Sequence, residues 1–182
     1  MDGLLGKFRR IAIVGSGGSG KSWLATRLAA ATSYPLYHLD KCFLQPGWTM
    51  LPREVREAQQ QEMMADAAWI IDGNWASSMP SRFAAADLVI FLDLSRLVCL
   101  WGALRRAGKQ RPDMPDGIAD PMLLSRANRA FYARIWAYPK AERPAVLALH
   151  EANPDTVFLR LRSRREVEQL SNLATSEKLS GR

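Results

Sequence analysis

Two cysteines and two histidines are too few for a zinc site, and Cys42, Cys99, His38 and His150 fall into no metal-ligand spacing. They read as ordinary thiols of a reducing compartment, with His38 as a packing residue beside Asp40. No apolar run reaches the roughly 18 residues that a membrane-spanning helix needs. No membrane partner is therefore expected. The opening MDGLLGKFRR has an acid at its second position and no apolar stretch of signal-peptide length, so a cytoplasmic location is expected. Repeats and low-complexity tracts are missing too. So are helix-turn-helix, zinc-finger and RNA-binding signatures, although a basic chain leaves nucleic acid open as a partner.

What the chain does have is positive charge. Lys and Arg number 25 against 18 Asp and Glu, a net charge of +7. The arginines gather at 96–111, 126–143 and 160–165. Such clusters suit a nucleic acid, a small polyanion such as a nucleotide, or simply a solvated basic face. With 182 residues, 48% apolar and 24% charged, the composition is that of one ordinary globular domain.

Five aliphatic runs alternate with helical patterns: RIAIV (10–14), PLYHLD (35–40), AWIIDG (68–73), DLVIFLDL (87–94) and TVFLRLR (156–162). The first, third and fourth are nearly unbroken, as strands covered on both faces of a parallel sheet require. An α/β layer fold follows. Pro52 opens a peripheral helix in which Val55 and Met63 form a weak stripe. Leu97, Leu100, Trp101 and Leu104 share helical spacing ahead of Gly108 and predict an inward face. A further helix is expected to open at Asp120-Pro121 and to close at Pro139, with Trp101, Phe131, Ile135, Trp136 and Tyr138 as packing residues. Between these two helices, 110–119 is a loop able to move. Ser163 to Glu166 reads as a capping box.

The chemistry begins at Gly15-Ser16-Gly17-Gly18-Ser19-Gly20-Lys21-Ser22, which fits G-x-x-x-x-G-K-[ST] between a buried strand and a helix start. Glycines free the backbone to turn its amides inward, and the helix N-terminus adds its dipole, so phosphate oxygens find a positive cradle. Lys21 then reaches the β and γ phosphates, and Ser22 can ligate Mg²⁺. Gly15, Gly17 and Gly20 also satisfy the dinucleotide pattern, with Asp40 available for a ribose, but Lys21-Ser22 favour a nucleoside triphosphate. No N-K-x-D motif for guanine is present, which favours ATP.

These motifs, together with YPLYHLDKCFLQPGW, AWIIDGNWASSMPSR, ADLVIFLDL and LRSRREVEQL, resemble the adenylate-kinase-like P-loop proteins. Within them they are similar to the bacterial DNA topology modulation (FlaR-like) group, from about Arg9 to Leu173. The resemblance implies a nucleoside-monophosphate-kinase-like fold, a five-stranded parallel sheet of order 2-3-1-4-5 with helices on both faces. It also implies a short lid near 105–120; the chain length suits a single domain over 1–174, and the lack of periodicity in the last residues predicts a flexible tail at 175–182. Asp72 resembles the aspartate that supports the Mg²⁺ water shell, making Ser22 and Asp72 the metal residues. Arg82 resembles an arginine gripping the acceptor's phosphate, and Arg105 and Arg106 resemble lid arginines serving the transferring group. Asp40 resembles the strand-two aspartate facing acceptor or metal in small-metabolite kinases. Arg164 and Arg165 lie in the turn that resembles the loop beside the nucleotide base. Trp23 stands where such proteins carry threonine or a small residue; it either packs under the first helix or narrows the site.

The activity implied is a kinase moving the γ-phosphoryl group of Mg·ATP to a small acceptor, with Lys21, Asp40, Asp72, Arg82, Arg105 and Arg106 as catalytic residues and Trp48 and Trp75 lining the acceptor pocket. The alternative is a nucleotide-gated or DNA-associated protein with ATPase activity alone.

Overall fold

The structure is a computed structural model in which residues 6–45, 48–115 and 125–180 are described. In chain order the elements are β1 (Arg10–Gly15), α1 (Lys21–Thr32), β2 (Leu36–His38), α2 (Leu39–Phe43), β3 (Leu44–Gln45), β4 (Thr49–Met50), α3 (Arg53–Ala65) and β5 (Trp69–Asp72). A 3₁₀ turn at Ala76–Ser78 leads into α4 (Met79–Ala85) and β6 (Leu88–Leu92). Then come α5 (Arg96–Leu104), α6 (Arg126–Ala141), α7 (Arg143–Ala152), β7 (Val157–Leu161) and α8 (Arg164–Ser180).

Five strands form one parallel sheet in the order β2-β5-β1-β6-β7, the expected 2-3-1-4-5 with the strands renumbered. Alternation along β1 divides the core. Ile11 and Ile13 join Leu24, Leu28, Ile90 and Leu170 on one face of the sheet, while Ala12 and Val14 join Phe43, Trp69, Phe83 and Phe91 on the other. Burying each large apolar side chain is worth roughly 1.5–3 kcal/mol, which is why the strands read as continuous apolar runs. Register then fixes the functional edge. Ile13 pairs with Asp72, and His38 pairs with Asp72 from the other side, so three strands end together beside Gly15.

The sequence misplaces several details. The PLYHLD run is strand only over 36–38, because Leu39 turns inward to start α2 and is fully buried. The short antiparallel pair β3–β4 and the helix α7 have no counterpart among the predicted elements. Pro139 lies within α6 rather than after it, and the expected opening at Asp120-Pro121 lies outside the described residues. Helix α3 buries Gln60 with Met63, and Gln60 Nε2 donates to Ser78 O at 3.0 Å and Ser81 Oγ at 2.9 Å. At α8 the Ser163 Oγ accepts from Glu166 N, and the Glu166 carboxylate accepts in return from the backbone N–H of Arg162 together with that of Ser163. The helix continues to Ser180, past the boundary expected at 174.

Helix α5 shows the largest reversal. Leu97 and Trp101 are 67% and 64% exposed, and its buried residues are Cys99 and Ala103. The reason is what the helix packs against: a backbone loop, which admits only small groups.

Candidate active site

The loop from Gly15 to Gly20 is pressed against α5. A Cβ on Gly18, whose φ is +73°, would stand 2.0 Å from Cys99 O, and one on Gly102 would stand 2.3 Å from Gly18 O. From α6, the Phe131 ring fills the space that a side chain at Gly17 would need. Arg164 completes the support, its guanidinium donating to Ser19 O at 3.1 Å and Gly18 O at 2.9 Å. Those two carbonyls are thereby satisfied, while within the loop the Ser19 N–H donates to Ser16 O at 3.2 Å. This geometry makes a sharp prediction for Gly102→Ala. Helix propensity alone would stabilise an exposed helix by about 1 kcal/mol. Here the new methyl meets Gly18 O, so the variant should melt lower and bind nucleoside triphosphate at least ~10-fold more weakly, as thermal melts and binding isotherms will read out.

Lys21, the first residue of α1, donates from Nζ to Ser16 O at 2.9 Å. Burial pushes its pKa down, Asp72 and Asp40 oppose that, and the positive charge of Arg106 adds to the depression. Asp72, Asp40 and Arg106 thus all act on Lys21, and the four line one cavity of about 1160 Å³ together. That volume exceeds the roughly 300–1,000 Å³ of an ordinary small-ligand site and leaves room for two ligands.

Asp72, at the end of β5, is 4% exposed. An ionised carboxylate only accepts, so the His38 Nδ1–H donates to Asp72 Oδ2 at 2.9 Å. Sequence reading sets His38 beside Asp40; register sets it beside Asp72 instead. Asp72 Oδ1 is buried without a partner. A buried carboxylate oxygen left in that state is costly unless a cation or its water shell meets it. Together with Ser22 on the same cavity wall, this donor set fits the hard, oxygen-seeking Mg²⁺. Asp40 is exposed toward the cavity and accepts from Trp75 Nε1–H at 2.9 Å.

The expected arginines separate into two groups. Arg106 and Arg164 line the cavity. Arg105 and Arg165 are exposed and do not. Arg82 does not line the cavity. It is fully buried and binds the chain's own carbonyls: Gly73 O at 2.7 Å, Trp75 O at 3.2 Å and Ser78 O at 3.5 Å. Burial pushes its pKa down to about 10, against the pull of Asp72, so it stays a cation that braces the loop after β5.

Several lining residues escape sequence reasoning. Asn74 accepts from the Gly15 N–H at 3.2 Å and donates to Glu142 Oε2 at 2.5 Å, while Arg134 Nε donates to Glu142 Oε1 at 2.6 Å. Asn74 could have been found as the residue directly after Asp72-Gly73; Glu142, between two helices, carries no signal. Asp113 of the expected lid, a stretch described only to residue 115, is bonded by Arg111. Burial would push Asp113 up, but the Arg111 and Ser22 bonds outweigh it and hold the acid below the usual carboxylate range. Arg56 donates from Nε to Leu51 O at 3.0 Å and lies 5.0 Å over the Trp75 ring. Trp48 and Trp75 do line this end of the cavity.

No family model matches the chain, and no curated protein matches it in sequence. Solved structures do. A shikimate kinase from Acinetobacter baumannii in complex with shikimate aligns with a TM-score of 0.59 at 15% identity, over 96% of this chain and 94% of that one. A shikimate kinase from Bacteroides thetaiotaomicron aligns at 0.54 and 16%, over 91% and 95%. The chain therefore has the fold of these P-loop kinases.

Proposed function

Starting from that fold, we propose that this chain transfers the γ-phosphoryl group of Mg·ATP to a hydroxyl of a small-molecule acceptor. The observation that carries the proposal is Asp72: a buried carboxylate with one oxygen held by His38 and the other open, beside Lys21 and Ser22. The loop amides and Lys21 hold the β and γ phosphates. Ser22 and Asp72 would hold a magnesium ion or its waters, which would supply neutralisation of phosphate charge. Asp40, with one oxygen fixed by Trp75, accepts the proton of the acceptor hydroxyl through the other. The acceptor oxygen bonds to the γ phosphorus as the bond from that phosphorus to the β–γ bridging oxygen breaks, and ADP leaves. Arg106 offsets the charge that develops on the transferring group.

Arg56 narrows the acceptor. It lines the cavity beside Trp75, and among the described residues no carboxylate lies within ion-pair distance of it. An acceptor bearing an anionic group fits. Arg56→Gln should raise the acceptor KM about tenfold or more with kcat little changed, since a charge-assisted bond is worth roughly 1.5–3 kcal/mol. The proposal as a whole is tested by ADP release from Mg·ATP with a panel of hydroxylated acids, nucleotides and sugar phosphates. No acceptor raising ADP above the hydrolysis background would end it. A cytoplasmic location accords with an ATP substrate and two free thiols.

A second reading follows the likeness to the DNA topology modulation group. Trp101 and Trp136 are exposed, and Arg96 lies 4.2 Å over the Trp136 ring, the aromatic and basic pairing that single-stranded nucleic acid uses. Binding to DNA that weakens steeply with salt is the expected outcome; no binding even at low salt removes this reading.

A further inference from the structure

The acceptor end of the cavity is walled by Asp40, Asp72 and Trp75, so a triphosphate held by the loop directs its nucleoside the other way. That way lies the rim between α1 and α8. Trp23 sits there, one residue past Ser22 and 46% exposed, although large and apolar. Its neighbours make it a fixture. Arg27, one turn later, places its guanidinium carbon 5.0 Å over the indole, and Arg27 Nε is anchored to Ser171 Oγ of α8 at 2.7 Å. Arg164 and Val167 of α8 line the same rim. Trp23 therefore neither packs under α1 nor closes the loop. It is a held aromatic surface bordering the cavity where the nucleoside must emerge.

We propose that Trp23 is the stacking platform for the base of the bound nucleoside triphosphate. The inference rests on the nucleotide-binding reading above and adds the group that recognises the base. One side of the indole is taken by a cation, which polarises the ring and limits its rotation, so a planar base meets a surface already ordered. Stacking accepts any aromatic base and gains with base area, which favours purines.

The test compares Mg·ATP with Mg·tripolyphosphate, which has the phosphates and no base, by titration calorimetry on the full chain. In Trp23→Ala the ATP affinity should fall about tenfold or more. Tripolyphosphate affinity should stay unchanged, and Trp23→Phe should recover most of the loss. Equal weakening of both ligands would overturn the proposal, because Trp23 would then only shape the loop. Unchanged ATP affinity in Trp23→Ala would overturn it as well. If the native chain binds tripolyphosphate no more weakly than ATP, no base is recognised and the platform is excluded. If it binds neither, the nucleotide reading itself fails, an outcome separate from the others.

Discussion

Arg106→Ala should lower kcat about 10³-fold or more, while Arg105→Ala should leave it within about twofold. The two residues are adjacent in the turn that follows α5, yet only one of them lines the cavity. Arg106 turns to the cavity, its guanidinium carbon 5.4 Å over the Phe131 ring, which itself lies against the phosphate loop at Gly17. Its charge is felt at Lys21, whose pKa it helps to depress. An arginine acting on a transferring phosphoryl group contributes about 10³ to 10⁵ in rate. Arg105 is solvated, and an exposed charge contributes on the order of 1 kcal/mol or less. Steady-state kcat with the acceptor, beside thermal melts showing both variants folded, separates the cases. A fully active Arg106→Ala would mean that Arg106 only packs on Phe131, and the transfer chemistry would lack its charge donor.

Arg82→Ala should fail in another way, by losing the fold's stability rather than the acceptor's grip. The substitution leaves the carbonyl of Gly73 without the donor that now serves it, while Trp75 O keeps the Ser78 N–H, and it opens a void where a whole side chain lies fully buried. Each stranded buried acceptor costs about 1–3 kcal/mol. A loss of roughly 3 kcal/mol or more is expected, a fall in Tm of about 6–12 °C for a chain of this size. Arg82→Lys should recover little, because a single ammonium cannot reproduce a planar fork over three carbonyls. Normal melting with a raised acceptor KM would restore the ligand-binding role that sequence reading gives this residue.

Both predictions bear on what a sequence can show. The strands, the glycine-rich loop and the strand-end acids were readable because each leaves a local mark: unbroken apolar runs, a fixed spacing, an acid closing a run; the order of the strands in the sheet came only from the family resemblance. The inward face of α5 was not. Periodicity assumes that large residues seek the core, and α5 faces a loop where Cys99, Gly102 and Ala103 fit and Leu97 and Trp101 do not. Nor does a residue's type reveal its ligand. Arg82 and Arg106 are chemically identical; one meets carbonyls of its own chain and the other lines the cavity. Asn74, Glu142 and Arg134 converge from separate elements, so no short window of sequence contains their relationship.

The phosphate loop is, for the same reason, not a portable cassette. Eight consecutive residues name the ligand, yet their shape is imposed from outside: Gly102 concedes the space, Phe131 caps one glycine, and Arg164 binds two carbonyls. Grafting GSGGSGKS between a strand and a helix of another protein would transfer the spelling without those three conditions. A donor site moved by design has to carry its distant supports with it.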